Sequence, residues 1–245
     1  MDLEQGIKRR TLLGWTAGLG ALGPLGAHAQ ADFPSRPIRV VVGLPAGGAA
    51  DVVIRALGLE LEKTLKQPVV IDNRPGGLYV PAIQAVASAP ADGHTLLYIN
   101  SSYVTVQVTQ NRFDLLRQFR PLTKTGETPG VIVVAASSPF KTLGDLVEHG
   151  RKNPDALTYG TLGVGTLEHL KSFQFTDAAG FKARAIPYKG GPDMVNAVIA
   201  GDIAYTGINA LTAGQLIAAG KIRALAATDS VRIASLPDVP TVGEA

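Results

Sequence analysis

Strand-like apolar runs alternate with helical patterns along most of this chain, and that alternation constrains the fold more than any other feature. The runs predict eight strands, at 38–42, 69–71, 95–99, 131–135, 157–160, 183–186, 203–206 and 222–227. Helical periodicity lies between most of them, at 51–66, 81–88, 142–152, 166–179, 191–200 and 212–219. Such an order predicts an α/β protein in which helices cover both faces of a largely parallel sheet.

A change of composition predicts a boundary between two lobes. After Pro121 the chain is polar up to Gly130, and the apolar strand that follows ends at a break beginning with Ser137. We interpret 131–136 and 222–228 as strands that cross between the lobes. The first lobe then comprises residues 30–135 and 225–245, and the second lobe comprises residues 136–224.

Residues 1–29 have the features of a secretory signal peptide. The basic group Lys8-Arg9-Arg10 precedes an apolar, glycine-rich stretch, and Ala27-His28-Ala29 is an A-x-A-like cleavage site. The apolar stretch is too short and too rich in glycine for a membrane span. Export to the periplasm is therefore predicted, and the arginine pair is also compatible with the twin-arginine route. The alternative is an amphipathic helix that belongs to the fold.

Export predicts a defined new N-terminus. Cleavage next to Ala29 or Ala31 should leave protein that begins at Gln30 or Asp32, because small residues stand at both sites. N-terminal sequencing of periplasmic protein measures this, and an intact Met1 on that material would contradict it.

Composition excludes several classes of function. The sequence has no Cys, so it cannot form disulfides, use a catalytic thiol or ligate a metal through sulfur. Its 23 basic and 20 acidic residues give a net charge of +3, and the basic residues are scattered along the chain. Because a nucleic-acid-binding protein would concentrate them, we expect no nucleic-acid partner.

Three glycine-rich turns each stand between a predicted strand and a predicted helix. They are GLPAGGAAD at 43–51, GTLGVGT at 160–166 and PYKGGPD at 187–193. Such a turn directs the free N–H groups of a helix start toward its occupant, which favours an anion. We interpret the turns as an anion site made of backbone, in a protein that holds a small carboxylate without transforming it.

Motifs of catalysis and cofactor binding are missing or weak. The turn at 160–166 has its glycines in the order G-x-x-G-x-G, the reverse of the dinucleotide fingerprint. No P-loop, G-x-S-x-G or H-E-x-x-H sequence occurs. We therefore expect no cofactor, no metal and no enzymatic activity.

Individual residues near the turns have structural and functional interpretations. Asp51 can cap a helix start or order the first turn for a ligand, and Lys189 can pair with a carboxylate or be solvated. For His169 we favour an imidazole that hydrogen-bonds to the backbone of the second turn over a ligand contact. A Gly165→Asp substitution is expected to place negative charge where the anionic group of a ligand approaches.

Five segments match a known family in order, and they are spread over essentially the whole chain after residue 29. They are 34–77, 89–102, 160–170, 186–191 and 220–245. On these segments the chain resembles the Bug family of periplasmic solute receptors, the binding components of tripartite tricarboxylate transporters. The resemblance implies a two-lobed type II periplasmic-binding-protein fold. It also implies a carboxylate ligand, namely a di- or tricarboxylate, an acidic amino acid or an aromatic acid.

Carried over position by position, the resemblance implies a site of main-chain groups and bridging waters on five segments. The implied ligand-binding residues are Leu44, Pro45, Ala46, Gly47, Gly48, Asp51, Asn100, Ser101, Ser102, Gly163, Val164, Gly165, Thr166, Tyr188, Lys189, Gly190, Gly191 and Asn209. Membrane transporter subunits are implied as transient partners, and we expect a monomer. The alternatives are a small α/β hydrolase or isomerase, and a receptor that serves a sensory partner.

Two departures from the family pattern bear on these expectations. Where the family continues Asn-Arg-Pro-Gly with further glycines, this chain has Leu78, Tyr79 and Val80. Side chains there predict a ligand that differs from the usual ones. The sequence ends at Ala245, where family members continue, so we expect the first lobe to be incomplete at its C-terminus.

Overall fold

The strands and helices follow the alternating order that the sequence predicts, except for two unpredicted helices between the third and fourth strands. The computed structural model describes residues 33–245, so the predicted signal peptide lies outside the described residues, and Arg36–Ala245 form one unit. The strands are β1 (Ile38–Val42), β2 (Val69–Asn73), β3 (Thr95–Tyr98), β4 (Gly130–Ala135), β5 (Leu157–Thr161), β6 (Ala183–Pro187), β7 (Tyr205–Asn209) and β8 (Ile222–Ala227). The helices are α1 (Ala49–Leu65), α2 (Val80–Ala87), α3 (Ser101–Gln110), α4 (Leu115–Gln118), α5 (Leu143–Lys152), α6 (Leu167–Ala178), α7 (Gly191–Ala200) and α8 (Ala210–Ala218), with a 3-10 turn at Gly77–Tyr79.

The strands form two sheets. The first has three parallel strands in the order β2-β1-β3, and the second has the order β6-β5-β7-β4-β8. In the second sheet β5 is parallel to β6 and β7, whereas β4 is antiparallel to β7 and β8. The prediction of largely parallel strands is therefore wrong for the β4 pairings. Helical periodicity reports that strands alternate with helices, but β4 follows a long irregular connection that carries no signal for strand direction.

The two strands that we interpreted as crossing between lobes lie side by side. β4 pairs with β8 along its length, from Val131 opposite Ala227 to Ala135 opposite Ile222. Both belong to the second sheet. The lobe boundaries derived from the sequence remain a prediction.

Strand β4 is buried on both faces and contributes to two separate apolar clusters. Val131 and Val133 belong to the cluster that includes Met194 and Val195 of α7. The intervening Ile132 belongs to the other cluster, with side chains from α5. This division follows from the two-residue period of a strand.

The first sheet is likewise covered on two sides. Val40 and Val42 pack with Ile54 of α1. On the other face, Val41 packs with Ala82 of α2. Helix α3 and the 3-10 turn supply a further cluster that lies next to the cleft described below.

No helix within residues 33–245 combines the length and the apolar character needed to cross a bilayer. The longest helix described here, α1, has 17 residues and carries charged side chains such as Asp51 and Arg55. Arg55 is exposed, whereas Asp51 and Ile54 are both buried.

Candidate functional site

The three glycine-rich turns all follow the carboxyl ends of strands. They come after β1, β5 and β6, and we name them the first loop (43–48), the second loop (162–166) and the third loop (188–190). In α/β sheets the carboxyl ends of the strands are where ligands bind.

Direct contacts bring the three loops together. The Tyr188 N–H of the third loop donates to the Thr161 carbonyl, at the base of the second loop, at 2.8 Å. Pro45 of the first loop packs so closely on Gly190 of the third that a Cβ at Gly190 would overlap the proline ring. The loops that the sequence pattern identified are therefore neighbours in space.

Asp51 orders the first loop. Its Oδ2 accepts hydrogen bonds from the Gly47 N–H at 3.0 Å and from the Arg55 Nε at 2.8 Å. Burial alone would raise the pKa of Asp51, but the hydrogen bonds from Arg55 and Gly47 outweigh burial and hold that pKa below its usual value. The carboxylate is ionised and its charge is already paired, so it fixes the shape of the loop.

Two helices begin at these loops without a side-chain cap. Gly48 is the N-cap residue of α1 and Gly190 is the N-cap residue of α7. The two starts are close, because a Cβ at Gly48 would lie 3.6 Å from Cδ of Pro192, in the first turn of α7. A helix start carries partial positive charge, so the first and third loops combine two such ends.

Other predicted ligand residues cap helices with their side chains. The Oδ1 of Asn100 accepts from the Ser102 N–H at 3.1 Å, the Oγ1 of Thr166 from the His169 N–H at 3.4 Å, and the Oδ1 of Asn209 from the Thr212 N–H at 2.8 Å. These bonds satisfy N–H groups at the starts of α3, α6 and α8. The open helix starts among the three loops are therefore those of α1 and α7.

Helix α3 is attached to the second loop and to the start of α6. The Ser102 hydroxyl donates to Glu168 Oε2 at 2.7 Å and accepts from the Leu167 N–H at 3.2 Å. At the other end of α3, Gln110 Nε2 donates to the Val164 carbonyl at 2.5 Å. These bonds join the side of the cleft that carries the first sheet to the side that carries the second.

A side chain at Gly165 would point at α3. The φ of Gly165 is +86°, and a Cβ there would overlap the Thr109 hydroxyl and lie 3.3 Å from Gln110 Nε2. A Gly165→Asp substitution would therefore disrupt the contact with α3 and strain the loop. The substitution would thus disturb the second loop itself, in addition to placing negative charge there.

A cavity of about 630 Å³ lies between the second and third loops, the 3-10 turn and the end of α3. Its volume is within the usual range for small-molecule sites. The lining residues are Gly43, Gly76, Gly77, Leu78, Tyr79, Gln110, Arg112, Leu162, Gly163, Val164, Pro187, Tyr188 and Lys189. Four of these, Gly163, Val164, Tyr188 and Lys189, are among the predicted site residues. The other predicted residues lie outside the lining, and Ser101 is exposed at the start of α3.

The charged side chains that line the cavity are cationic. Arg112 and Lys189 both line it, and neither forms an ion pair with another residue of the described range. No Asp or Glu is among its lining residues. A separate depression beside Arg36 and Arg39, at the amino ends of the first sheet's strands, contains none of the predicted site residues.

The 3-10 turn enters the cavity in a strained conformation. Four consecutive residues have left-handed backbones, with φ of 92° at Gly76, 55° at Gly77, 50° at Leu78 and 71° at Tyr79. Glycine adopts such angles freely, whereas for Leu and Tyr each costs of order 1–3 kcal/mol. Leu78 reaches the second loop, since a Cβ at Gly163 would lie 2.8 Å from Leu78 Cδ2.

Two stacked tyrosines support this turn. The rings of Tyr79 and Tyr103 are nearly parallel, with centroids 4.0 Å apart. The Tyr103 hydroxyl accepts the Gly43 N–H at 2.9 Å and so fixes the start of the first loop. Burial raises the pKa of Tyr79 and of Tyr103, and both hydroxyls stay neutral.

The imidazole of His169 does not fix the second loop. Its Nδ1 is buried and makes no hydrogen bond, and its ring lies 6.5 Å from the ring of Tyr159. Burial lowers the pKa of His169. The imidazole therefore does not make the hydrogen bond to the loop backbone that we expected. His169 is joined to the loop by its main-chain N–H, which donates to the Thr166 hydroxyl oxygen.

Asp51, His169 and Lys189 form no catalytic arrangement. Asp51 is bound to Gly47 and Arg55, and none of the three candidates hydrogen-bonds to another. A nucleophile and its base would need to lie within hydrogen-bond reach of each other. Within residues 33–245 there is also no grouping of three or more His, Asp or Glu residues suited to a metal ion.

Sequence reasoning missed several lining side chains. The departure at 78–80 marked Leu78 and Tyr79 as unusual, but the pattern around Arg112 carries no such signal. Arg112 reaches the cavity because α3 ends at Asn111 in a left-handed conformation, which turns the chain back toward the cleft. Asn at that position is the single hint available in the sequence.

Comparison with known proteins gives one family. Residues 53–245 match the family described as tripartite tricarboxylate transporter family receptor. A UPF0065 protein encoded in the tcbD-tcbE intergenic region of Pseudomonas sp. strain P51 is 33% identical over 246 residues. The match covers 100% of this chain and 73% of that relative.

Solved structures with a similar fold are periplasmic binding proteins. MatC from Rhodopseudomonas palustris, with bound malate, superposes with a TM-score of 0.81 at 27% identity, covering 87% of this chain and 74% of MatC. R. palustris Rpa4515 with adipate superposes with a TM-score of 0.75 at 30% identity, covering 87% of this chain and 73% of that protein. The periplasmic binding protein BugD superposes with a TM-score of 0.74 at 28% identity, covering 86% of this chain and 72% of BugD. The two sheets of this chain thus form the α/β fold of two-lobed periplasmic binding proteins, as predicted.

Proposed function

The chain belongs to the family of tripartite tricarboxylate transporter receptors, and from this we propose that it captures a small carboxylate where its three glycine-rich loops meet, at the starts of α1 and α7 and the adjoining cavity. Proteins of this family are solute-binding receptors. We further propose that the chain is exported to the periplasm, works as a monomer and passes its ligand to membrane transporter subunits by transient contact. Cross-linking of the loaded receptor in membranes would distinguish transporter subunits from a sensory partner.

The observation that carries the proposal is the convergence of two uncapped helix starts. At Gly48 and Gly190 no side chain occupies the first N–H groups of α1 and α7. Each helix start favours a nearby anion by about 0.3–1 kcal/mol, and by up to about 2 kcal/mol where the geometry is partly buried. Two starts in contact through Pro45 and Pro192 give an anionic group more stabilisation than either alone.

The charges of the cavity support the same ligand class. Arg112 approaches from the end of α3 and Lys189 from the third loop, so cationic side chains stand on both sides of the cleft. Because neither is paired with a carboxylate of the described residues, an incoming anion does not have to displace one. The structures with malate and with adipate show that similar proteins bind carboxylates.

Thermal unfolding of the whole chain with a panel of acids tests this function. Citrate, succinate, malate, adipate, glutamate and benzoate cover the ligand classes, and at least one should raise the unfolding temperature. A ligand at one hundred times its dissociation constant adds about 2.7 kcal/mol of stability, which is readily measured.

A charge reversal at Lys189 tests the place of binding. Lys189→Glu should weaken binding of the stabilising acid about tenfold or more, since it replaces attraction of the carboxylate by repulsion at the cavity. Lys182→Glu is the matched control, because Lys182 is exposed just before β6, outside the lining. Stabilisation by none of the acids, or equal binding by Lys189→Glu and the parent, would overturn the proposal.

A further inference from the structure

We infer that Arg112 is a specificity-determining residue, which binds a second anionic group of the ligand on the side of the cavity that carries the first sheet. This role rests on the proposed function, in which one carboxylate binds at the starts of α1 and α7. The receptor then favours acids with an anionic group at each end over acids with a single one.

The two cationic side chains of the cavity belong to different parts of the fold. Lys189 directly precedes Gly190, the N-cap residue of α7, so it accompanies the carboxylate already assigned to that place. Arg112 follows α3, and its guanidinium makes no ion pair or hydrogen bond within residues 33–245. Because the lining contains no Asp or Glu, the cavity gives Arg112 no counter-ion. Its charge is therefore left for a group that the ligand brings.

The backbone around Arg112 is fixed, although Arg112 itself is exposed. Asn111 ends α3 in a left-handed conformation, and its N–H donates to the Gln107 carbonyl at 2.9 Å. Phe113, on the other side of Arg112, is buried and shares an apolar cluster with Tyr79. The chain therefore presents Arg112 beside the 3-10 turn, which lines the same cavity.

Main-chain donors of the 3-10 turn add to this positive region. The Gly77 and Leu78 N–H groups make no hydrogen bond within residues 33–245, whereas the Tyr79 N–H is bound to the Gly76 carbonyl at 3.1 Å. Successive N–H groups of a turn that lack partners favour an anion. The planar fork of a guanidinium matches the two oxygens of a carboxylate. Arg112 and the turn together are therefore suited to a carboxylate.

The cavity has room for an acid that reaches both places. Its volume of about 630 Å³ is within the range that holds ligands much larger than one carboxylate. An acid with one anionic group leaves Arg112 to water, which carries no penalty because the side chain is exposed. An acid with two anionic groups gains a charge-assisted hydrogen bond there. Arg112 therefore strengthens the binding of diacids without excluding monoacids.

Paired acids that differ by one charge test this preference on the unmodified protein. Calorimetric titration compares succinate with succinamate, adipate with its monoamide and glutamate with glutamine. In each pair that binds, the diacid should bind about tenfold tighter or more, because the amide removes the charge that Arg112 attracts. Equal binding within the pairs, or binding of benzoate and of none of the diacids, would overturn the role of Arg112 and leave the carboxylate site standing. Failure of every acid to bind would overturn the proposed function as well.

An Arg112→Gln variant tests the residue itself. The exposed position tolerates glutamine, so the protein should fold, and affinity for the diacid should fall about tenfold while affinity for its monoamide changes less than about twofold. Arg117→Gln is the matched control, because Arg117 is exposed in α4 outside the lining, and it should bind both acids as the parent does. Unchanged diacid binding by Arg112→Gln, or an equal loss for diacid and monoamide, would overturn the assignment of the second anionic group to Arg112.

Discussion

Replacing Gly190 with Ala should weaken carboxylate binding about tenfold or more, which corresponds to about 1.4 kcal/mol or more of binding free energy. The backbone of Gly190 is extended, with φ of −171°, so an alanine there is not strained. Its methyl group would overlap the ring of Pro45 and separate the first loop from the third. The starts of α1 and α7 would then act on an anion singly, and titration calorimetry with the stabilising acid measures the loss.

Gly214→Ala provides the matched control for this substitution. It adds the same methyl group in α8, at a position where a Cβ would meet no atom within 4 Å. Binding by this variant should equal that of the parent. If Gly190→Ala also binds with the parent's affinity, the contact between the loops contributes nothing to the site.

Replacing Tyr103 with Ala should lower the free energy of unfolding by about 3–5 kcal/mol, the usual loss for a buried aromatic side chain. Tyr103 is fully buried, and its ring supports Tyr79. Tyr103→Phe isolates the hydroxyl and should lose about 1–3 kcal/mol, because the buried Gly43 N–H would lack an acceptor. Denaturant unfolding followed by circular dichroism measures both losses.

Tyr98→Phe is the control for the hydroxyl of Tyr103. Tyr98 is half-buried in β3, and its hydroxyl makes no hydrogen bond within the described chain. Its removal should change the unfolding free energy by less than about 0.5 kcal/mol. A loss for Tyr103→Phe no larger than that of Tyr98→Phe would mean that the bond to Gly43 does not stabilise the protein.

Strands that are buried on both sides were predicted well, because burial produces continuous apolar runs. The bounds of β1 and β8 agree with the prediction at both ends. The seventh strand begins at Tyr205, two residues later than predicted. Ile203, which we took as the first residue of that strand, is buried in the turn after α7, so its apolar character reports core packing and not strand pairing.

Helix α3 was not predicted, although it borders the cavity. Its sequence SSYVTVQVTQ is rich in Val and Thr, whose branched side chains lower helix propensity and favour strands. The helix forms because Tyr103 and Val106 are fully buried against the first sheet and because Asn100 caps its start. Tertiary packing therefore overrides the local preference, and the cap was the signal available in the sequence.

The lining of the cavity was only partly predictable for a related reason. Glycine-rich turns identify loops locally, and four residues of those turns, Gly163, Val164, Tyr188 and Lys189, line the cavity. Arg112 belongs to a segment without such a pattern and joins the cleft through the fold. Adjacency between distant segments depends on how the sheets and helices pack, which periodicity does not report.

The attachments of α3 have a consequence for how binding and folding are coupled. Two adjacent residues of this helix hold different parts of the cleft, Tyr103 the start of the first loop and Ser102 the start of α6. Because the helix has little intrinsic tendency to form, its order depends on those attachments. A ligand that stabilises these attachments therefore also favours the helical state of 101–110. The binding free energy of such a ligand then includes part of the free energy of the coil-to-helix transition of this segment, even where the main chain of the segment does not touch the ligand.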